Sequence, residues 1–225
     1  MNKTGVTDRR CEPLLRDLLR PALTSAVFFM ILTGLAYPLL TTGVAQLLFP
    51  HQANGSLLER DGHVIGSALL GQNFIRQQYF HPRPSATVTS DPADPDKTIA
   101  LPYNAALSGA SNLGPSSRKL ITQVAERARA YRRENGLSAN APVPVDAVTA
   151  SGSGIDPDIS LANARLQAGR IARARKLPEK QVLMLITQQV TPRQFDVLGD
   201  PRVNVLKLNL ALDANMNAIR RPAAQ

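Results

Sequence analysis

Four small residues stand just before a predicted helix and form a candidate anion-binding loop: Ser151, Gly152, Ser153 and Gly154. Small residues ahead of a helix leave backbone N–H groups free to bind a phosphate. The run lacks the Lys-Ser or Lys-Thr of a phosphate-binding loop, and it does not match the G-x-S-x-G elbow of hydrolases. Two interpretations stay open: a nucleotide-contacting loop, and a tight turn next to a helix cap at Asp156, Asp158 or Ser160.

Other residues that could do chemistry stand alone. Asp96-Lys97-Thr98 begins like the phosphoaspartate motif of P-type ATPases, but Ile99-Ala100 follows where that motif has Gly-Thr, so we expect a chance match. Cys11 lies in a charged tail without a neighbouring histidine. The histidines are too scattered for a local metal motif: His51, His63 and His81. We find no paired nucleophile and base in the sequence, and we predict neither a catalytic residue nor a metal site in this chain.

Composition narrows the classes of protein. The 225 residues are 44% hydrophobic and 19% charged, which excludes a chain that is disordered throughout. One cysteine excludes an internal disulfide framework and a cysteine-based zinc site. The absence of tryptophan and the aromatic content of 4% disfavour a stacking surface for single-stranded nucleic acid. The net charge of +9 favours anionic partners, namely nucleic acid, lipid headgroups or an acidic protein surface.

Basic residues concentrate in a predicted helix over residues 160–176: Arg165, Arg170, Arg173, Arg175 and Lys176. With the break before Pro178, this helix and the next one faintly match a helix-turn-helix DNA-binding motif. At 100° per residue the charges spread around much of the helix. We therefore expect a solvated basic face open to an acidic partner, and no nucleic acid partner.

A long stretch without charge predicts a membrane helix. The sequence has no charged side chain between Arg20 and Glu59, and residues 21–49 are predominantly apolar. As a helix, 29 such residues extend about 44 Å, more than the hydrocarbon core of about 30 Å. A buried core helix and a cleaved signal peptide are the alternatives, but this segment is too long for either. Pro38 removes a backbone hydrogen bond near the middle, so we expect a kink there.

The charges that flank this stretch predict its orientation. Five basic residues precede it: Lys3, Arg9, Arg10, Arg16 and Arg20. The twenty residues that follow Pro50 contain only Arg60. The positive-inside rule then keeps the amino terminus in the cytoplasm. We predict a cytoplasmic tail over residues 1–20, a transmembrane helix over 21–49 and an extracytoplasmic domain over 50–225.

The exported part shows mixed periodicity, which predicts an α+β fold of one domain. Residues 82–115 contain six prolines and predict extended chain with turns. Helices are predicted over residues 116–135, 160–176 and 178–190, and strands over 63–72, 143–149 and 203–212. The last strand rests on alternating leucines: Leu206, Leu208, Leu210 and Leu212.

Ten short motifs together resemble one family. They are LRPA (19–22), LTG (32–34), YPLL (37–40), QANGSL (52–57), GSALLGQNF (66–74), YFHPRPSA (79–86), PYN (102–104), SNLGPS (111–116), VTASGSG (148–154) and PRVNVLKLNLALD (201–213). The chain is similar to the C subunit of the bacterial Kdp potassium-transporting ATPase from about residue 19 to residue 213, in the family's order. Residues 1–18 extend the usual amino terminus, and residues 87–101 resemble an enlarged loop.

The resemblance implies a non-catalytic, membrane-anchored subunit of an ATP-driven potassium uptake pump in the bacterial cytoplasmic (inner) membrane. The implied partners are a channel-like potassium subunit, a P-type subunit that hydrolyses ATP, a small membrane subunit and the lipid bilayer. The implied role is assembly of the complex and coupling of ATP hydrolysis to potassium transport. The alternative is a catalytic chaperone that raises the ATP affinity of the P-type subunit by direct nucleotide contact. No tightly bound cofactor is implied, and the chain would contact ATP only through the complex.

Two sets of residues are predicted contacts within such a complex. Small residues and a proline would pack the membrane helix against partner helices: Gly34, Ala36, Pro38 and Gly43. Loop residues would contact the partners: Asn112, Gly114, Arg202 and Asn204.

Overall fold

A computed structural model describes the backbone of residues 11–220 and the side chains of residues 17–215. Residues 1–10 of the predicted cytoplasmic tail therefore lie outside the described residues. The chain divides into two compact units, Met1–Ser56 and Leu57–Gln225.

The first unit is a long helix with one change of helical type. Helix α1 (Cys11–Ile31) runs into a π-helical segment (Leu32–Ala36), then into α2 (Tyr37–Leu48) and the short α3 (Pro50–Ala53). The backbone N–H of Tyr37 bonds to the carbonyl of Leu32, which widens the turn just before Pro38. Since Pro38 cannot donate, this π-helical turn accommodates the missing hydrogen bond at the place where we predicted a kink.

Residues Asp17–Leu48 form the only described helix that is long and apolar enough to cross a membrane. Its 32 residues extend about 48 Å at 1.5 Å per residue, and the side chains from residue 17 to residue 44 are all exposed. The described helix begins at Cys11, ten residues before the predicted boundary at Pro21. An apolar surface of this length needs lipid or partner helices around it.

The second unit is a mixture of helices and small antiparallel sheets. Strands β1 (Leu57–Arg60) and β2 (His63–Ser67) form one hairpin, and β3 (Val88–Asp91) and β4 (Asp94–Ala100) form another. Strands β5 (Asp158–Ser160), β6 (Val190–Thr191) and β7 (Arg202–Asn204) form a three-stranded sheet in the order β5-β7-β6. The helices are α4 (Arg118–Asn135), α5 (Val145–Val148), α6 (Leu161–Arg175), α7 (Glu179–Gln188) and α8 (Val205–Arg220). The predicted α+β fold class is confirmed.

The predicted strand over residues 203–212 is wrong, because most of it belongs to helix α8. Asn204 caps that helix by accepting a hydrogen bond from the N–H of Lys207 at 3.0 Å. Val205, Leu208 and Leu212 are all buried, and their spacing of three and four residues is that of a helix face. The leucines alternate, but they also fit this helical period, and leucine and alanine favour helix over strand.

Two further expectations differ from the structure. Residues 143–149 contain the four-residue helix α5 instead of a strand. Residues 82–115 contain the β3–β4 hairpin instead of extended chain alone. Thr87 and Leu101 close the base of that hairpin through two hydrogen bonds, at 3.1 Å and 2.6 Å, so residues 87–101 form an ordered loop.

The three predicted helices are present, and their ends follow local rules. The Ser160 hydroxyl accepts a hydrogen bond from the N–H of Asn163 and caps α6. Gly136 ends α4 in the left-handed conformation. Ser117 stands at the start of α4 but makes no side-chain cap bond. A core of buried apolar side chains joins α6, α7 and α8 to the three-stranded sheet: Ile159, Ile171, Val182, Ile186, Val203, Leu208 and Leu212.

Candidate functional site

The segment over residues 77–81 has its backbone paired with amide side chains. Asn209 of α8 accepts a hydrogen bond from the N–H of Phe80 at 2.8 Å and donates to its carbonyl at 3.0 Å. Gln167 of α6 accepts from the N–H of His81 at 2.7 Å and donates to its carbonyl at 3.1 Å. Phe80, Asn209 and Gln167 are buried, so these amides satisfy backbone groups that are removed from water. The segment is therefore fixed at a defined place between α6 and α8.

Two arginines of α6 bind the carbonyls at the start of this segment. Arg170 donates to the carbonyl of Gln77, and Arg175 donates to that of Gln78 at 2.7 Å. Arg175 also pairs with Asp213 at 2.7 Å. Their side chains are only 4% and 7% exposed. The prediction of a solvated basic face is thus wrong for these two residues, because folding buries both guanidinium groups against carbonyls and a carboxylate.

Asp146, on the short helix α5, holds the amino-terminal end of α6. Its carboxylate accepts hydrogen bonds from the backbone N–H and the hydroxyl of Ser160, at 2.8 and 2.9 Å. It also accepts one from the side chain of Asn163 at 2.9 Å. Negative charge at a helix amino terminus is favourable, so this carboxylate both caps and orients α6.

A cleft of about 390 Å³ opens beside the fixed segment; we call it the central cleft. It is lined by residues 73–75 and 81–85, by Pro102 and Tyr103, and by parts of α4 and α6. Its volume lies in the lower part of the range for ligand pockets, about 300–1,000 Å³. Its walls combine prolines and aromatic rings with a few charged groups.

Several polar groups in the central cleft already have partners. His81 Nδ1 lies 2.8 Å from Glu134 Oε1, and this hydrogen bond is the main cause that lowers the pKa of the Glu134 carboxyl. The Tyr131 hydroxyl donates to Asn163 Oδ1 at 2.8 Å, and burial raises the pKa of this phenol. The Tyr103 hydroxyl donates to the carbonyl of Arg83 at 2.8 Å. Each of these groups therefore already has a hydrogen-bond partner within the fold.

Two guanidinium groups in the cleft are less fully satisfied. Arg127 donates to the carbonyl of Val148 at 3.1 Å, and no carboxylate of the described residues lies within ion-pair distance of it. Burial lowers the pKa of Arg127, and no opposite charge offsets that effect. Arg83 pairs with Asp156 at 2.8 Å through Nη1, but its buried Nε has no acceptor among the described residues. Of these two cations, Arg127 is therefore the one with no carboxylate partner among the described residues.

The loop over residues 151–154 is attached to the segment before α4. The Ser151 hydroxyl accepts from the N–H of Gly154 at 2.8 Å, and the Ser153 hydroxyl accepts from the N–H of Ile155. The Ser153 carbonyl accepts from the N–H of Gly109 at 2.9 Å. Two N–H groups that would bind an anion are therefore already used. This geometry favours the tight turn, while nucleotide contact stays a prediction.

Two of the other predicted contact residues make side-chain hydrogen bonds or ion pairs within the chain, and for the other two the structure shows no such side-chain contact. Arg202 pairs with Asp158 at 3.0 Å across the β5–β7 ladder, and Asn204 donates to the carbonyl of Ala68 besides capping α8. Asn112 is exposed, and a side chain at Gly114 would meet nothing within 4 Å. The predicted packing residues of the membrane helix are all exposed: Gly34, Ala36, Pro38 and Gly43.

The residues of the apparent phosphoaspartate motif lie on the exposed strand β4, where Lys97 pairs with Asp94 at 2.7 Å. Within the described part of the chain, no group of three or more His, Cys, Asp or Glu side chains is arranged to hold a metal ion. Sequence reasoning missed Gln167 and Asn209. The available signal was a polar residue in the apolar stripe of a helix, which marks a buried hydrogen-bonding role.

Comparison with known proteins agrees with the motifs. Residues 19–214 match the model of the KdpC family, described as the K+-transporting ATPase c chain. The matched region includes the apolar helix, the fixed segment, the cleft and most of α8. This chain belongs to the KdpC family.

Individual KdpC proteins match over nearly their whole length. The potassium-transporting ATPase KdpC subunit of Rhodopseudomonas palustris (strain ATCC BAA-98 / CGA009) is 55% identical over 195 residues, 87% of this chain and 96% of that protein. The subunit of Bradyrhizobium diazoefficiens is 54% identical over 200 residues, 89% and 98% of the two chains. That of Mycobacterium bovis (strain BCG / Pasteur 1173P2) is 53% identical over 199 residues, 88% and 99%. Together with the apolar helix near the amino terminus, these relatives indicate a membrane-anchored protein.

Proposed function

We propose that this chain is a non-catalytic, membrane-anchored subunit of an ATP-driven potassium uptake pump. The match to the K+-transporting ATPase c chain over residues 19–214 carries the proposal, because it includes both the membrane helix and the second unit. The sequence contains no recognisable pairing of a nucleophile with a base, which supports a role without catalysis in this chain. The subunit then acts in assembly of the complex and in coupling of ATP hydrolysis to potassium transport.

The proposed partners are a channel-like potassium subunit, a P-type subunit and a small membrane subunit, all in the bacterial inner membrane. The exposed membrane helix would pack against their helices through its small residues, at Gly34 and Gly43 above all. A side chain at either glycine would meet nothing within 4 Å in this chain, so the close approach is available to a partner. Removing the helix should abolish assembly. Full potassium transport restored by residues 51–225 alone would contradict this role.

We propose that the amino terminus lies in the cytoplasm and residues 50–225 lie outside it. The five basic residues before the apolar stretch and the single one in the twenty residues that follow Pro50 support this orientation. Cys11, the only thiol of the chain, allows a direct test. A membrane-impermeant maleimide is applied to intact cells and to permeabilised cells, and the tagged chain is then purified and its labelling measured.

Protection of Cys11 until permeabilisation is the expected result, and it would support an extracytoplasmic domain that braces the pump. Labelling in intact cells would reverse the topology and place the second unit beside the cytoplasmic ATP. The nucleotide-chaperone alternative would then be favoured. One observation keeps that alternative in view: Gly152 is exposed, and the space where its side chain would stand is open.

A further inference from the structure

We infer that the central cleft receives an acidic side chain from another subunit of the pump, and that Arg127 is its ion-pair partner. The inference rests on the proposed function, because it requires a complex. It names a contact surface inside the second unit that differs from the membrane helix and from the loops over residues 111–116 and 151–154.

The first reason is that Arg127 has no carboxylate partner among the described residues. It is a partly buried cation on the wall of the cleft that donates to the carbonyl of Val148. Every other charged side chain on the cleft wall is paired: Arg83 with Asp156, and Glu134 with His81. If a partner covered the cleft, this guanidinium would lose water, and an entering carboxylate would offset the cost of that desolvation. A guanidinium also binds a carboxylate through two parallel hydrogen bonds, which gives geometric selectivity.

The shape of the walls is the second reason. Three prolines, Pro82, Pro84 and Pro102, line the cleft together with Phe74 and the ring of Tyr103. Proline has a fixed backbone angle, and the amide pairs at Phe80 and His81 hold the adjoining segment, so these walls are formed before binding. Apolar walls next to the Arg127 guanidinium fit an acidic residue on a peptide stem better than a free inorganic anion.

The third reason is an exposed apolar side chain on the cleft wall. Ile75 lies on the cleft wall and is 75% exposed, although it is a large apolar side chain. An exposed apolar residue beside an unpaired charge is typical of a contact surface whose centre becomes desolvated on binding. The occupant is therefore a protein segment with an Asp or Glu at its tip and apolar residues beside it.

The test uses the assembled pump with the full-length chain. Arg127→Met and Arg127→Glu are compared with Arg129→Met, which removes an exposed arginine from the same helix. Loss of a desolvated ion pair should weaken association of the chain with the other subunits by at least about tenfold for Arg127→Met, and further for Arg127→Glu. The control should retain the affinity of the unmodified chain. Arg127→Lys, which keeps a cation, should recover part of the affinity if charge is what matters.

A photo-crosslinking residue at position 75 then identifies the occupant, with position 184 on α7 as the exposed control site. We expect a crosslink at position 75 to a peptide of another subunit that contains Asp or Glu, and its loss in Arg127→Glu. Exchanging that acidic residue for arginine in the partner should restore assembly of Arg127→Glu. Thermal unfolding of each variant shows whether its fold is intact. If Arg127→Met does not fold, the association measured for Arg127→Lys takes its place in the comparison.

The outcomes separate the inference from the proposed function. If the unmodified chain does not associate with the other pump subunits at all, the proposed function is wrong. If it associates and the Arg127 variants associate equally well, only the inference is overturned. It is also overturned if no subunit is crosslinked at position 75 while malonate or phosphate raises the melting temperature in an Arg127-dependent manner, because the cleft would then be a small-anion site.

Discussion

Replacing Gly154 by alanine should destabilise the second unit through two separate effects. Gly154 has a φ of +70°, which alanine adopts at a cost of about 1 kcal/mol. A Cβ there would stand 2.5 Å from Thr87 Cγ2 and 2.7 Å from the carbonyl oxygen of Gly109. Neither neighbour can easily move, because Thr87 is buried and closes the β3–β4 hairpin, and Gly109 is held by its hydrogen bond to Ser153.

The size of the effect follows from adding these two effects. Overpacking against fixed atoms costs about 1–3 kcal/mol, so Gly154→Ala should lose about 3 kcal/mol in total. For a unit of this size, 1 kcal/mol lowers the melting temperature by about 2–4 °C, which gives a decrease of roughly 6–12 °C. Gly62→Ala is the matched control: its φ is +78° but its Cβ would meet nothing within 4 Å. It should lose only about 1 kcal/mol, or roughly 2–4 °C.

The assay is thermal unfolding of the full-length chain in detergent, followed by far-ultraviolet circular dichroism. Equal melting temperatures for Gly154→Ala and Gly62→Ala would show that the close contacts are relaxed in solution, and the argument for a rigid turn would fail. Gly152→Ala adds a functional comparison. The Cβ added at position 152 would meet no atom within 4 Å, so the melting temperature should change by less than about 2 °C. A loss of ATP affinity of the whole pump in Gly152→Ala would favour nucleotide contact at this loop.

Two further predictions concern charged groups. The pKa of Glu134 is lowered in the fold, so its contribution to stability is present above its ordinary pKa of about 4.3 and is lost as the pH falls through the lowered value. The difference in unfolding free energy between the unmodified chain and Glu134→Gln, measured with urea, should stay constant above about pH 5 and shrink as the pH falls further; a difference that does not change with pH would refute the assignment. Asp213→Ala leaves the buried Arg175 without its carboxylate and should cost about 3 kcal/mol, whereas Asp200→Ala, in an exposed pair with Arg193, should cost less than about 1 kcal/mol. Equal costs in chemical denaturation would contradict the importance of burial for the Arg175 pair.

Local sequence patterns were sufficient to predict helices α4, α6 and α7 and the apolar helix. The caps at Ser160 and Gly136 are readable from the sequence because capping depends on a few neighbouring residues. The charge-free stretch predicts a helix that could cross a membrane because length and hydropathy are themselves the physical requirement. The hairpin over residues 87–101 was missed because its only local signal, a Pro/Asp-rich turn, is also typical of irregular loops.

Helix α8 shows where local pattern fails. Its leucines alternate like a strand, but Val205, Leu208, Asn209 and Leu212 also share one helical face. Both interpretations place several apolar side chains on one face, so the choice depended on what the segment contacts. Asn209 has to reach the backbone of Phe80, which lies 129 residues earlier, and only the helical arrangement in the structure places its amide there. That contact is tertiary and leaves no periodic signal.

The sequence by itself determined the family, the apolar helix, the α+β class and the extents of α4, α6 and α7, because each depends on composition or on residues close together in the chain. The tertiary structure decided which charges are buried and which are free. Arg170, Arg175 and Arg127 are equivalent in the sequence as helical arginines, yet two are paired deep in the fold and one stands unpaired in a cleft. Burial and pairing depend on distant segments, residues 77–81 above all, and therefore on the packed structure.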